Sequence, residues 1–297
     1  MWNLLTGNSK ELAKTLAENS VDSIITDPPY GMNIAEWDKD VPDASYWETF
    51  NRCLKPGGFL LAFCSPRLYH RLATSIEDAG FEIVDQIMWM TTTKMPVSGK
   101  LKQCHEPIVV AQKKFSGTIK HNVETFGTGN IDIESTRVAW DKEPPKGWVS
   151  NGLSRRTFGG ESIKTKEDED RVDANPNGRY PSNIIGEVMP KDQSYFYAPR
   201  VTKKERGEYN NHPTPKPIDL MRYLVKMFCP TGGTVLDPFS GSGSTGIGAI
   251  MENRKYIGIE LYKEYTDIAE QRLKDWSANS LSYFFEDEMT LDIPNQL

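Results

Sequence analysis

Apolar positions in the first third of the chain alternate between strand-like runs and helix-like spacing. Runs of strand length occupy residues 21–26 (VDSIIT), 58–64 (GFLLAFC) and 107–111 (PIVVA). Between the first two runs, the apolar residues of 46–54 recur at helical spacing and predict a helix that ends at Pro56-Gly57-Gly58.

A second helix is predicted between the second and third runs. Ser65 is a favourable capping residue, Pro66 suits the first helical position, and Gly80 is a natural end. Strands and helices therefore alternate to about residue 112. This alternation predicts a parallel sheet covered by helices.

The alternation stops near residue 115 and resumes near residue 198. Residues 115–197 are rich in Gly, Pro, Thr, Asn and charge, which is typical of a binding insertion. Beyond it the pattern predicts a helix that begins at Pro217, strands at 234–236 and 255–259, and a final helix over 265–276. The acidic tail after that helix is predicted to be peripheral.

Composition indicates a folded chain. Hydrophobic residues make up 38% of the 297 and aromatic residues 10%, more than a disordered chain carries. No apolar run approaches the roughly 18 residues of a membrane span, and the first residues lack the features of a signal peptide, so we expect a cytoplasmic protein without a membrane partner. The four cysteines show no C-x-x-C spacing and only four histidines are present, so we expect neither disulfides nor a metal site.

A glycine-rich turn follows the strand predicted at 234–236. The sequence LDPFSGSGSTG contains Gly241, Gly243 and Gly246 at G-x-G-x-x-G spacing, and Glu260 ends the next strand. Glycines let a backbone approach a ligand closely, and a carboxylate can accept hydrogen bonds from both hydroxyls of a ribose. The turn predicts a cofactor that contains adenosine. NAD and a tight turn without a ligand remain open from this pattern alone.

The tetrapeptide Asp27-Pro28-Pro29-Tyr30 directly follows the first predicted strand, at the edge where ligands bind in open α/β folds. Two prolines stiffen the turn and remove two N–H donors. The set suits a planar heterocycle with an exocyclic amino group, because Asp27 and the Pro28 carbonyl can accept its hydrogens while Tyr30 stacks on the ring. Adenine and cytosine both fit. A surface turn without a ligand is the competing interpretation.

Together, the DPPY tetrapeptide and the distant DPFSGSGSTG turn resemble the amino-methyltransferases that move a methyl group from S-adenosylmethionine to the exocyclic nitrogen of adenine or cytosine in DNA. In that family the two motifs end neighbouring strands. The resemblance implies an α/β fold with a doubly wound, mostly parallel, seven-stranded Rossmann-like methyltransferase sheet. Because DPPY comes first and the glycine turn last, the order resembles the circularly permuted beta class.

The resemblance also implies three parts of the chain. Residues 1–113 would form the catalytic half with DPPY, 114–197 an irregular target-recognition insertion, and 198–297 the cofactor-binding half with the acidic tail. Within the insertion, FGTGNIDIESTRV and GRYPSNII resemble segments of phage-type members to which no role is assigned.

Cofactor ligands are implied by the same resemblance. KYIGIEL resembles the family's second-strand motif, which makes Glu260 the ribose ligand, and HPTPKP resembles the segment that covers the methionine end of the cofactor. A basic side chain opposite the methionine carboxylate is physically reasonable. The opening LLTGNSKEL resembles the family's first segment, although Asn stands where Asp is usual. Besides Glu260, the implied cofactor-binding residues are Asn8, Thr214, Lys216, Asp237, Pro238, Phe239, Gly241, Gly243 and Thr245.

Asp27, Pro28, Pro29 and Tyr30 are the implied catalytic residues. Hydrogen bonds from the amino group to the turn favour a pyramidal nitrogen whose lone pair is free to attack, and the base must be flipped out of the duplex. Double-stranded DNA is the expected partner. A cognate restriction endonuclease and a homodimer are further partners that the family suggests, and the expected setting is the bacterial cytoplasm, for a bacterial or phage-encoded enzyme.

The net charge of −6 argues against nucleic acid until the charges are located. Residues 86–122 carry six lysines against one acidic residue, and 198–226 carry seven cations against three acidic residues. Both stretches flank the insertion and are candidate DNA contacts. Trp89, Trp140 and Trp148 are further candidates, although single aromatic residues more often serve the core, and Cys104, His105 and Glu106 receive no role.

Adenine N6 is the favoured target because Asp opens the tetrapeptide, where cytosine N4 enzymes of the family more often have Ser. Cytosine N4 transfer is the nearest alternative, and methylation of RNA or of a protein amide is more distant. An NAD-dependent oxidoreductase would explain the glycine turn and leave DPPY unused. A catalytically silent DNA-binding protein would leave the cofactor pattern unexplained.

Overall fold

The computed structural model describes residues 1–91, 98–99, 101–140, 143–144, 174–186, 201, 203–206 and 209–286, and within these ranges it gives the side chains except those of 203–204 and 279–286. The strands are β1 (Trp2–Thr6), β2 (Val21–Thr26), β3 (Leu54–Phe63), β4 (Phe81–Met90), β5 (His105–Lys113), β6 (Ile184–Gly186), β7 (Thr234–Asp237) and β8 (Lys255–Glu260). The helices are α1 (Ser9–Ala13), α2 (Ala44–Cys53), α3 (Tyr69–Asp78), α4 (Ile119–Phe126), α5 (Lys203–Arg206), α6 (Ile218–Phe228), α7 (Ser244–Met251) and α8 (Lys263–Glu286).

All the described strands join one sheet in the order β1-β8-β7-β2-β3-β5-β4-β6. Only β5 runs antiparallel to its neighbours, β3 and β4. The predicted mostly parallel α/β sheet is confirmed, and the short strand β6, which comes from the insertion, pairs with β4 as an eighth strand. The strand β2 lies beside β7 although their sequences are about 200 residues apart.

Helices cover both faces of the sheet. Along β2, Ile25 faces a core that includes the apolar side of α6, whereas Ile24 faces a second core that includes α2 and α3. Burial on both faces explains why 21–26 shows no alternation of apolar and polar residues: all six residues are buried, including polar Asp22, Ser23 and Thr26. This double covering is the doubly wound arrangement that the sequence predicts.

Two predicted boundaries are wrong. The helix α2 ends at Cys53, and Pro56-Gly57-Gly58 lies inside β3 instead of separating a helix from a strand. Val21 pairs with Leu54 and Ser23 with Phe59, so the extra residues form a bulge, in which Gly57 takes a positive φ of 74°. The helix α3 begins at Tyr69, three residues after the predicted first position, Pro66. Residues 66–68 form a turn before it, and no side chain caps the helix.

Part of the insertion is regular and packs on the core, contrary to the prediction of an irregular segment from residue 115. The helix α4 carries buried Asn122, whose amide donates to the carbonyls of Pro56 (2.9 Å) and Thr128 (2.7 Å). These bonds tie the helix to the β3 bulge. Trp148 and the cations Lys94, Lys100 and Arg200 lie outside the described residues, as does most of 141–200.

The remaining elements follow their predicted positions. Pro217 precedes α6, and the apolar residues of that helix are buried. Helix α8 continues ten residues past the predicted end, through Glu286, so the first part of the acidic tail is helical. Within the part of the chain that the structure describes, no helix has the length and apolar character needed to span a membrane.

Candidate active site

The two turns singled out in the sequence meet at the carboxyl ends of β2 and β7. The hydroxyl of Thr26, the last residue of β2, donates to Asp237 Oδ1 at 2.7 Å. Asp27 follows directly on one side of this bond and Pro238 on the other. The fold thus brings the tetrapeptide and the glycine turn together, as the resemblance implies.

A cavity of about 290 Å³ opens where these turns meet. Residues of the tetrapeptide, the glycine turn, the end of β8 and the segment before α6 line its wall. Of the fourteen residues predicted for the site, all but Gly243 line it: Asn8, Asp27, Pro28, Pro29, Tyr30, Thr214, Lys216, Asp237, Pro238, Phe239, Gly241, Thr245 and Glu260.

The glycine turn requires its glycines. Gly241 and Gly243 have φ values of +51° and +79°, which side chains of other residues rarely tolerate. A Cβ on Gly241 would lie 2.9 Å from His212 Nε2, and one on Gly243 would lie 3.1 Å from the Ala269 Cβ. Gly243 therefore supports the turn from below the cavity, where α8 packs against it.

Glu260 links this turn to the end of β8. Its carboxylate accepts backbone N–H bonds from Gly241 (2.9 Å) and Tyr262 (3.0 Å) and is buried at 8% exposure. Burial raises the pKa of Glu260, and the backbone donors oppose that rise. Each carboxylate oxygen has two acceptor positions, so Glu260 can accept further hydrogen bonds from a ligand in the cavity.

Asp237 and Asn8 also accept hydrogen bonds from other groups of the protein. Burial raises the pKa of Asp237 to about 6, although the hydrogen bond from Thr26 lowers it. The Asn8 side-chain oxygen caps the short helix α1 by accepting from the N–H groups of Lys10 and Glu11. An asparagine supports this cap as well as an aspartate does.

Within the tetrapeptide, the Tyr30 hydroxyl donates to Asp27 Oδ1 at 2.5 Å. The Lys216 ammonium contacts the other oxygen, Asp27 Oδ2. Burial raises the pKa of Asp27, and Lys216 opposes this rise. Burial and the nearby carboxylates keep Tyr30 protonated, with a pKa well above its ordinary value. The Asp27 carboxylate is therefore held by two donors at the cavity wall.

The Lys216 ammonium lies beside the tetrapeptide. The sequence interpretation assigns its ammonium to a cofactor carboxylate, whereas the ammonium contacts Asp27 and lies 3.9 Å from Glu106 Oε2. Glu106, to which sequence reasoning gave no role, lines the cavity from β5. Only the pairing of β5 with β3 brings it there, so no local pattern could have found it.

Asp38 is a further residue that sequence reasoning missed. Its buried carboxylate accepts the backbone N–H groups of Tyr30 (2.6 Å), Gly31 (2.9 Å), Met32 (3.0 Å) and Ile34 (3.2 Å). The loop after the tetrapeptide therefore wraps around one side chain. This arrangement fixes the backbone that carries the Tyr30 ring.

Replacement of Asp38 by Ala leaves four N–H groups without their acceptor. Hydrogen bonds to charged groups contribute about 1.5–3 kcal/mol each, and part of the loss is recovered by water, so we expect about 3 kcal/mol of destabilisation. Denaturant unfolding measures it. Asp40→Ala, an exposed neighbour, is the matched control and should change stability by less than about 0.5 kcal/mol. Equal effects of the two substitutions would contradict this assignment.

Aromatic rings form one side of the cavity. His212 lies between Trp37, stacked at a centroid distance of 6.3 Å, and Tyr265, edge-on at 4.7 Å. Burial lowers the pKa of His212 to about 4, so the imidazole is neutral near pH 7. The wall is therefore an uncharged aromatic surface suited to a flat ring.

Several cations counted as candidate DNA contacts are used inside the protein. The Lys113 ammonium donates to the carbonyls of Asn51 and Leu54, Lys216 contacts Asp27, and Arg222 donates to Glu252. The described cations of 86–122 that remain exposed are Lys102, Lys114 and Lys120. Trp89 is a core residue that packs against Phe63.

Insertion residues 137–140 and 175–180 pair across a bridge between Val138 and Arg179. Arg179 lies over the ring of Trp140, whose indole N–H donates to the Asn175 carbonyl at 2.8 Å. Among the described residues, no group of three or more His, Cys, Asp and Glu side chains has the arrangement of a metal site.

Comparisons with known proteins agree with this architecture. Residues 21–271 match the model of the N6/N4 methyltransferase family, described as DNA methylase. The type II methyltransferase M2.LlaDCHI of Lactococcus lactis subsp. cremoris is 26% identical over 293 residues, which are 91% of this chain and 88% of the relative.

Two solved structures share the fold. The M1.HpyAVI complex with S-adenosylmethionine aligns at a TM-score of 0.54 and 24% identity, covering 92% of this chain and all of the other. The cytosine-N4-specific PvuII DNA methyltransferase aligns at a TM-score of 0.58 and 17% identity, covering 95% of this chain and 93% of the other.

Proposed function

We propose, because this chain belongs to the N6/N4 DNA methylase family, that it transfers a methyl group from S-adenosylmethionine to the N6 amino nitrogen of an adenine in double-stranded DNA. The observation that carries the proposal is the meeting of Asp27 and the glycine turn across the bond between Thr26 and Asp237. One cavity thus adjoins both an acceptor for an amino group and a turn suited to a nucleoside.

S-adenosylmethionine fits the residues present. The buried Glu260 carboxylate has free acceptor positions for the ribose hydroxyls, and the glycine turn lets backbone approach the ligand. The aromatic wall around His212 offers a flat apolar surface. When bound, the cofactor supplies an electrophilic methyl group on a sulfonium ion. Asn8, Thr214, Pro238, Phe239 and Thr245 line the same cavity and belong to this proposal as cofactor ligands, and Gly243 shapes the turn beside it.

Asp27 and the Pro28 carbonyl accept the two hydrogens of the target amino group. These bonds favour a pyramidal nitrogen whose lone pair is available for attack, and they act by positioning and preorganised charge. Tyr30 stacks on the base, with its hydroxyl anchored on Asp27 and its backbone on Asp38. The prolines keep the turn rigid, so little reorganisation is needed when the base arrives.

The target base must leave the duplex because its amino group is inaccessible within the stack. Flipping costs a few kcal/mol, part of which Tyr30 offsets by stacking. The exposed lysines Lys102, Lys114 and Lys120 are the described candidates for phosphate contacts near the insertion.

Adenine is the proposed base because aspartate stands at the first position of the tetrapeptide. Cytosine N4 transfer is the competing specificity, since the neighbouring PvuII enzyme with the same fold is cytosine-N4-specific. Both bases present an amino group to the same acceptors, so the distinction depends on how the ring fits beside Tyr30.

Chain order supports the proposed beta-class arrangement, because the tetrapeptide follows β2 and the glycine turn follows β7. We assign target recognition to residues 114–197, between the halves 1–113 and 198–297. A restriction endonuclease that shares the recognition sequence and a homodimeric assembly complete the proposal.

Incubation with unmethylated DNA and S-adenosylmethionine, followed by sequencing that resolves base modifications, tests the proposed function. We expect N6-methyladenine within one defined sequence context. Thermal unfolding with the cofactor is the accompanying measurement, and S-adenosylmethionine should raise the Tm whereas NAD should not. Stabilisation by NAD alone, with DNA left unmodified, would overturn the proposal.

A further inference from the structure

We propose that Lys216 is a positioning residue of the methyl transfer, whose ammonium holds the Asp27 carboxylate ionised and oriented for the target amino group. The inference rests on the proposed function and deepens it, because it replaces the cofactor-carboxylate role predicted for Lys216 with one on the base side of the cavity.

The surroundings of the ammonium carry the inference. Lys216 is buried at 8% exposure, and its Nζ contacts Asp27 Oδ2 and lies 3.9 Å from Glu106 Oε2. The Nζ is also 5.5 Å from the centroid of the Tyr30 ring and 5.1 Å from that of Phe63. Two carboxylates and two aromatic faces, which come from three separate parts of the chain, therefore surround the ammonium of a fourth part.

The charges of this cluster explain why a cation is needed. Two partly buried carboxylates that share a site disfavour each other's ionisation, and a positive charge between them offsets this repulsion. Two described titratable groups near the cluster add no positive charge at neutral pH, because burial raises the pKa of the Cys64 thiol to about 12 and lowers the pKa of His212 to about 4. Lys216 places a positive charge beside both Asp27 and Glu106, while Tyr30 donates a hydrogen bond to Asp27 and Asp237 adds negative charge beyond Thr26.

An ionised Asp27 presents acceptors at both oxygens to the amino group, Tyr30 and Lys216, whereas a protonated carboxyl presents a donor at one of them and is the weaker acceptor. Burial and Glu106 raise the pKa of Asp27, whereas Lys216 lowers it. The rate of methyl transfer should therefore rise with pH as Asp27 loses its proton. The acid limb of the pH–rate profile is the range over which the rate rises as Asp27 loses its proton. Substitutions of Lys216 and of Glu106 should shift this limb in opposite directions.

The test is the pH dependence of single-turnover methyl transfer at saturating DNA and cofactor, with the full-length protein. Lys216→Met should shift the acid limb upward by about 1 pH unit or more, because an opposite charge within contact lowers a carboxyl pKa by 1–3 units. Glu106→Gln removes a like charge and should shift the limb downward. Lys216→Arg keeps the charge and should restore a profile close to that of the original protein.

Lys14→Met is the matched control, because Lys14 is a half-exposed surface lysine paired with Glu11. It should leave the pH profile unchanged. Calorimetric titration with S-adenosylmethionine separates the two roles of Lys216: a positioning residue leaves the Kd within about 3-fold, whereas a ligand of the cofactor carboxylate loses about 10-fold or more.

Three outcomes overturn the inference. They are an unshifted acid limb in Lys216→Met, a shift of Glu106→Gln in the same direction as Lys216→Met, and loss of cofactor affinity with an unchanged profile. If Lys216→Met does not fold, Glu106→Gln and Lys216→Arg still decide the question. Failure of the original protein to methylate DNA would instead reject the proposed function, so the two failures are distinguishable.

Discussion

Replacement of Asp27 by alanine is expected to lower the rate of methyl transfer by about 10³-fold or more, while S-adenosylmethionine still binds. The substitution removes the acceptor that the reacting amino group uses, and loss of one preorganised electrostatic partner typically costs about 10²–10³-fold. Here the loss also disrupts the stacking residue, since the Tyr30 hydroxyl donates to Asp27. Transfer of labelled methyl to DNA and calorimetric titration of the cofactor measure the two effects.

The variant should remain folded. Without Asp27, the Lys216 ammonium keeps Glu106 as a partner, because their charged atoms are already 3.9 Å apart. Asp78→Ala, an exposed position at the end of α3, serves as the control and should retain full activity. Near-normal turnover of the Asp27 variant would contradict the assigned role of the tetrapeptide.

Replacement of Glu260 by alanine is expected to weaken the binding of S-adenosylmethionine by about 10- to 100-fold. Charge-assisted hydrogen bonds contribute about 1.5–3 kcal/mol, and each 1.4 kcal/mol changes an affinity tenfold. The same substitution removes the acceptor of the Gly241 and Tyr262 N–H groups, so the glycine turn also loses its hydrogen bond to the end of β8. Calorimetric titration measures the Kd, and Glu264→Ala, an exposed residue of α8, is the matched control.

The affinity should also depend on pH. Burial raises the pKa of Glu260 above its ordinary value, and the ionised form is the better acceptor for two hydroxyls. Binding is therefore strongest above this pKa and weakens as the pH falls through it. An affinity that the Glu260 substitution leaves unchanged would place the ribose elsewhere in the cavity.

Local sequence predicted the strands that end at the site. VDSIIT and the strand before the glycine turn are short, rich in β-branched residues and followed by residues of restricted or unusual backbone geometry, so β2, β7 and their turns are predictable. By contrast, β4 was not predicted, because Asp85 and Gln86 interrupt its apolar alternation. Residues 81–90 form a strand because they pair with β5 on one side and β6 on the other, and no local pattern encodes this pairing.

The two missed residues of the site, Asp38 and Glu106, have partners that no local sequence pattern encodes. Asp38 acts on backbone N–H groups, which every residue except proline carries, so its partners leave no trace in side-chain types. Glu106 reaches Lys216 only through tertiary folding, and the contact of Lys216 with Asp27, unlike the place of Lys216 in the site, was not predicted either. The bulge in β3 is likewise not predictable from local sequence. Pro56-Gly57-Gly58 resembles a helix stop, and only the register between β2 and β3 shows that it lies within a strand.

The most direct measurement of the central claim is mass spectrometry of nucleosides after incubation of unmethylated DNA with S-adenosylmethionine that carries a deuterated methyl group. The original protein should place the label on N6-methyladenine, and the Asp27→Ala protein should place essentially none. Label on N4-methylcytosine would contradict the adenine assignment. Equal labelling by both proteins would contradict the role of the tetrapeptide itself.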